Sequence, residues 1–274
     1  MSLVARRYQL LSVLGRGGSA VVYEACDLHS GARVALKLLE GGKDAADVRR
    51  LLREARLLDA LGHPSIVRVL DAGVLEDGGA FLAMERLEGR TLAQRLEDCF
   101  WLPQEEAIAI ASQLLEALEA AHRAGVVHRD VTPSNVFLLP GLRVKLIDFG
   151  IGRELGDPQS RVTEPNLVLG TVGYMAPEQL FGDEPSVRSD VYGAGATLYE
   201  MLSGRPPLGL RSGELREILV ALTSPPLSLR SIRPALPARL ADGVMRALGR
   251  SPSERFESCR EMIDGCGLLD AEAA

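Results

Sequence analysis

The chain has 274 residues, 46% hydrophobic and 25% charged, with a net charge of −6. That size suits one large domain or two lobes of an ordinary folded protein. The acidic balance gives no electrostatic basis for nucleic-acid binding. No run approaches the roughly 18 apolar residues of a membrane span, and "MSLVARRYQLL" lacks a signal-peptide pattern. Cys26, Cys99, Cys259 and Cys266 fit no metal-ligand spacing and read as reduced, packing thiols of a cytoplasmic protein.

In chain order, "YQLLSVLG" and "AVVYEACD" read as strands around the glycine-rich turn "GRGGS", and "ARVALKLLE" as a third strand. Residues 44–62 read as a helix with Val48, Leu51, Leu52, Ala55, Leu58 and Leu61 in one stripe, closed by Gly62 ahead of Pro64. "IVRVLDAGVL" and "GAFLAMERL" add two strands, so a strand-rich segment with one helix ends near Glu88. Helices dominate from Thr91. "PQEEAIAIASQLLEALEAAHRAG" opens on Pro103 and acidic residues, as a helix start should. "VFLLPG" and "VKLIDFG" can pair as a hairpin, and residues 151–178 read as a long loop. "VRSDVYGAGATLYEMLSG" is apolar nearly all round, which predicts a buried helix, and further helices fit 213–221, 236–249 and 256–267. His29, His122, Lys43 and Lys145 read as exposed or packing residues.

Only three of the 31 Lys and Arg residues are lysines, Lys37, Lys43 and Lys145, a bias that fits a GC-rich bacterial genome. A lysine kept against that bias suggests a task for a compact point charge that the planar fork of arginine does not fill. In "VALK", strand alternation puts Val34 and Leu36 on one face and Ala35 and Lys37 on the other. Glu54 borders the apolar stripe of the first helix, where a carboxylate needs a cation unless it turns to water. A glycine turn such as "LGRGGS" lets backbone N–H groups approach phosphate oxygens, though many hairpins have one for no such purpose. In "GVVHRDVTPSNVF", Asp130 and Asn135 stand five residues apart, and Asp148 ends a later strand in "DFG". One carboxylate can take a hydroxyl proton, while a second carboxylate and an amide oxygen suit Mg²⁺.

With "GRGGSAVV", "VALK", Glu54, "HRDVTPSN", "DFG", "APE" at Ala176–Glu178, Asp190 in "SDVYGAG" and Arg255 in "SPSERF", the chain resembles the eukaryotic-type serine/threonine protein kinases in their bacterial branch over about residues 8–267. The resemblance implies an α+β, bilobal kinase-like fold. An antiparallel-sheet N-lobe with one main helix would span 1–88, and a mainly helical C-lobe 89–274. It implies that Leu14, Gly15, Gly17, Gly18, Val22, Ala35, Met84, Glu85, Leu87 and Phe137 surround ATP, with Val22, Ala35 and Phe137 about the base. Lys37 would hold phosphates and pair with Glu54, Asp130 would receive or orient the substrate hydroxyl, and Asn135 and Asp148 would bind Mg²⁺ or Mn²⁺. Leu58, Leu70, His128 and Phe149 would form a stack anchored by Asp190, and Glu178 would pair with Arg255. Arg129, Ser160, Thr163 and Thr171 would belong to the regulatory segment: Ser160 and Thr163 as sites of phosphate that pairs with Arg129, added between two copies of the chain, unless they are plain loop polar residues, and Thr171 with its hydroxyl near the active site against Asp130 and Thr132. The expected partners are ATP and a protein bearing Ser or Thr.

The chain departs from the family pattern at Ala20, Ser251 and, most consequentially, Thr132, where a lysine usually touches the transferring phosphate. Thr132 keeps a hydroxyl and supplies no charge, which predicts a working but slower enzyme. The rival reading is a kinase-fold scaffold that binds nucleotide without turnover. The expected location is the cytoplasm, as a free protein or as the cytoplasmic domain of a larger one.

Overall fold

The computed structural model describes residues 2–16, 20–39, 45–76, 78–149, 172–208 and 224–269, without the side chains of 45–47, 49–51, 54 and 58. Contacts divide the chain into two compact units at Glu88 and Gly89.

The first unit is built on a six-stranded antiparallel sheet of β1 (Leu3–Val4), β2 (Tyr8–Arg16), β3 (Ala20–Asp27), β4 (Arg33–Leu39), β5 (Val69–Val74) and β6 (Ala80–Glu85), ordered β1-β2-β3-β4-β6-β5. Helix α1 (Ala45–Leu61) lies between β4 and β5 in sequence, so β6 takes the place beside β4 and β5 becomes the edge. Alternation sorts the two faces. Tyr8, Ala25, Val34, Leu36, Phe81 and Ala83 pack together on one, each at most 6% exposed. The Arg7 guanidinium ties the strands laterally. It donates to both Asp27 carboxylate oxygens at 2.7 and 2.8 Å and to Asp71 at 2.9 Å, while the Tyr8 hydroxyl also donates to Asp71. The Arg7 bonds hold the Asp27 carboxyl well below the usual carboxylate range.

The second unit opens with β7 (Arg90–Thr91) and α2 (Leu92–Glu97), neither of which was expected. The signal was present in "TLAQ": Thr91 accepts the Gln94 N–H at 3.2 Å and Gln94 accepts the Thr91 N–H at 3.0 Å, a reciprocal cap. Helix α3 (Gln104–Arg123) follows, and β8 (Val136–Leu139) and β9 (Arg143–Leu146) pair as the expected hairpin, with β7 on the other side of β8. Gly89 has φ of +143°, and a Cβ there would stand 2.0 Å from the Leu138 carbonyl, so the chain enters β7 only as glycine. Short helix α4 (Pro177–Leu180) begins within the last residues of the loop expected over 151–178. Then come α5 (Val187–Ser203), α6 (Leu229–Ile232), α7 (Ala238–Ala247) and α8 (Cys259–Cys266). Helix α5 is buried along nearly its whole length, as its apolar circumference requires. The helix expected over 213–221 lies outside the described residues. Among the described residues no helix is long and apolar enough to cross a membrane.

Candidate active site

In the first unit the register sets the site. Gly15, Val22, Lys37 and Leu82 form one cross-strand row, and Glu24, Ala35, Met84 and Val69 form the next. Rows two residues apart share a face, so Val22, Ala35, Lys37 and Met84 project on the side opposite the Tyr8–Phe81 core. Val22, Ala35 and Lys37 are half-buried and Met84 is buried. Leu14 is exposed at an irregularity of β2 between Val13 and Gly15. Glu85 takes the Arg68 N–H on its side chain and donates its own N–H to the Arg68 carbonyl, which fixes the strand end. The Arg86 guanidinium lies on the Leu87 carbonyl. Leu70, expected in the stack, is 39% exposed. It is the extra residue of a bulge between Val69 and Asp71, where the alternation that would turn it inward is broken.

In the second unit, the loop from His128 to Asn135 is held by side chains. Asp190, 1% exposed in the first turn of α5, accepts the His128 N–H at 2.7 Å and the Arg129 N–H at 2.8 Å. It also bonds His122 Nε2 at 2.7 Å, so His122 is neither a surface residue nor mere packing. Three residues along α5, a Cβ on Gly193 would stand 2.8 Å from Val131 Cβ and 2.9 Å from its carbonyl. One face of α5 thus offers a carboxylate and a gap to the same loop. Arg129 has φ of +71°. His128 is fully buried, and burial pushes its imidazole below its ordinary value although the Asp190 and Asp130 charges pull the other way. The neutral ring donates from Nε2 to the Ile147 carbonyl at 3.0 Å and accepts the Asp130 N–H on Nδ1 at 3.3 Å, which fixes the tautomer. Its ring centroid lies 4.5 Å from that of Phe149, with the two planes tilted by 47°.

Asn135 Nδ2 donates to the Asp130 carbonyl at 2.8 Å and to Asp130 Oδ2 at 3.0 Å. A carbonyl only accepts, so the nitrogen end of the amide is committed to Asp130 and Oδ1 is the end offered to a cation. Asp148 follows β9 at φ of +54°, and the Ile147 N–H beside it donates to the Asn135 carbonyl at 2.9 Å. The two oxygen donors therefore flank the open end of one hairpin. Among the described residues no three His, Cys, Asp or Glu side chains gather as a metal cage. Two hard oxygens completed by phosphate are what this donor set fits. Phe137 is half-buried on β8. Thr132 is 6% exposed, and with Pro133 and Ser134 it lines a cavity of about 310 Å³ shared with Glu97, Phe100, Tyr174 and Glu200.

Arg255, 1% exposed, uses all five of its N–H groups in hydrogen bonds. Nη1 and Nη2 meet the two Glu178 oxygens at 2.8 and 2.7 Å, and the remaining bonds go to the Gly249, Arg188 and Arg250 carbonyls. Burial disfavours charge on Glu178, but the Arg255 bonds outweigh it and hold the carboxyl below the ordinary range. Gly17, Gly18, Ser160, Thr163, Thr171 and the Glu54 and Leu58 side chains lie outside the described residues. Sequence reasoning missed His122 and Gln179, neither of which carries a local pattern that separates it from a surface polar residue.

The protein kinase domain family matches residues 8–263. The "Probable serine/threonine-protein kinase SCO3848" of Streptomyces coelicolor is 37% identical over 97% of this chain and 40% of its own length. The "Probable serine/threonine-protein kinase CE0033" of Corynebacterium efficiens is 35% identical over 99% of this chain, and "Serine/threonine-protein kinase PknB" of Mycobacterium tuberculosis 35% over 95%; both are covered over 42% of their own length. The chain thus spans about two fifths of the curated relatives it matches. It belongs to the protein kinase domain family, in the serine/threonine type found in bacteria.

Proposed function

We propose that this chain is an active serine/threonine kinase domain, transferring the γ-phosphate of ATP to a hydroxyl of a protein. The observation that carries the reading is the Asn135 amide. Its nitrogen holds the Asp130 backbone and carboxylate together, which sets a proton acceptor beside an oxygen ligand. In the step, the acceptor oxygen attacks the γ-phosphorus and its proton passes to Asp130. The bond from γ-phosphorus to the β,γ-bridging oxygen breaks, and ADP leaves with that electron pair. Mg²⁺ or Mn²⁺, held by Asn135 and Asp148, supplies positive charge at the phosphates when bound. Lys37 adds a fixed charge for the α- and β-phosphates. Val22 and Ala35 offer apolar surface to the base, Met84 flanks it, and the backbone at Glu85 and Leu87 meets its polar edge. A cytoplasmic location, free or as part of a larger protein, fits an enzyme that uses ATP.

A nucleotide-binding scaffold is the second reading, and uncharged Thr132 is the observation on its side. Incubation with ATP, Mg²⁺ and a mixture of protein acceptors, followed by phosphopeptide mass spectrometry, separates the two. Phosphate on Ser or Thr, lost in Asp130→Asn, is expected. Nucleotide binding with no phosphate on any protein would leave the scaffold.

A further inference from the structure

Gln179 follows Glu178 in α4 and is 9% exposed. Its amide works in two directions. Oε1 accepts the Ala176 N–H at 3.2 Å, and Nε2 donates to the Arg129 carbonyl at 2.9 Å. A backbone N–H only donates and a carbonyl only accepts, so both partners agree on which end of the amide is which.

The Arg129 carbonyl belongs to the peptide unit joining Arg129 to Asp130. The N–H of that same unit donates to His128 Nδ1 at 3.3 Å. One peptide plane is thus gripped at its oxygen by Gln179 and at its nitrogen by His128. The preceding N–H, of Arg129, is held by Asp190 at 2.8 Å. These grips surround an arginine at φ of +71°, a conformation that persists only where neighbours over-determine it. The plane is joined to the chain by ψ of Arg129 and φ of Asp130, and a net change in either torsion would redirect the Asp130 carboxylate.

We propose that Gln179 is a positioning residue for Asp130: by fixing the Arg129–Asp130 peptide it aims the Asp130 carboxylate and couples the segment around Ala176–Leu180 to the loop that carries it. This rests on the reading of Asp130 as the residue that handles the acceptor proton. A purely structural Gln179 would tie α4 down and affect stability alone.

Gln179→Glu and Gln179→Met test it. Glutamate keeps an oxygen for the Ala176 N–H but removes the donor and sets lone pairs against the Arg129 carbonyl. Methionine keeps the length without polar ends. In single-turnover transfer at saturating ATP and acceptor, each should slow the step roughly 10- to 100-fold, the scale of a small misplacement of a reacting group, with KM for ATP within about twofold. In an Asp130→Asn background the same substitutions should cost less than about twofold, because the carboxylate they aim is gone. Folded variants at full rate would overturn the proposal. So would an equal loss with and without Asp130, and so would failure of both variants to fold, which would make Gln179 a stability residue. A wild type that transfers no phosphate would instead sink the kinase reading. Amide hydrogen exchange then still decides the clamp: exchange at the Asp130 N–H should be at least about tenfold faster in Gln179→Glu, and unchanged protection would refute it.

Discussion

Lys37 reaches its place through a strand whose ladders to β3 and β6 run without a break, whereas Asp130 sits in a loop and directly follows a residue, Arg129, at φ of +71°. In the sheet, the pleat and register fix which side chains share a face, and no specific side-chain bond is needed to bring Val22, Ala35, Lys37 and Met84 together. In the loop, nearly every backbone group near Asp130 is met by a named side chain: Asp190, His128, Asn135 and Gln179. A left-handed arginine costs about 1–2 kcal/mol, so the loop keeps its shape only through that density of bonds. The sheet should therefore tolerate substitution at any one site better than the loop does.

The sharpest contrast is expected at Asp148, one of the two residues proposed to hold the metal. Asp148→Asn keeps the shape and removes the charge, and should lower phosphotransfer roughly 10³-fold, the scale seen when one preorganised charge-stabilising group is lost. Nucleotide affinity in the presence of Mg²⁺ should fall as well, measured by calorimetry. Ala35→Val, a change on the sheet face that keeps the register, should alter affinity for ATP with a much smaller effect on the rate at saturation.

Next in size is the Glu178–Arg255 bridge. Glu178→Gln leaves a buried guanidinium without its anion and should destabilise the second unit by about 3 kcal/mol, read from denaturant unfolding. The folded pKa of Glu178 is depressed, so its contribution is complete above the unfolded value of about 4.3 and is lost as pH falls through the lower folded value. The stability gap between wild type and Glu178→Gln should close on that acid side and stay constant near neutrality.

The smallest effect is expected at Thr132. Thr132→Lys restores a phosphate-directed charge and should raise kcat up to about tenfold, equivalent to ~1.4 kcal/mol of barrier. The cavity beside it carries Glu97 and Glu200, which compete for that ammonium. Single-turnover rates at saturating ATP read the balance, and an unchanged or lower rate would defeat the missing-charge account.

Much of the sheet was legible because alternation is a local signal. "VALK" alone assigned Lys37 to the face opposite Val34 and Leu36, and the Val136–Leu146 hairpin followed from two short apolar runs. The family resemblance puts Leu70 in the stack, and nothing in "RVLDAG" marks the inserted residue that leaves it 39% exposed on β5. The loop was legible only through the ordered motifs. No propensity assigns positive φ to Arg129, and the bonds that hold it come from residues as distant in sequence as Gln179 and Asp190. His122 shows the same limit: its partner lies 68 residues away.

The most direct test of the account is the chemical step itself. Single-turnover transfer of the γ-phosphate at saturating Mg²⁺ and ATP should fall by orders of magnitude in Asp130→Asn, while the affinity for ATP stays within about threefold of wild type. An undiminished rate, or a loss explained entirely by weaker nucleotide binding, would contradict it.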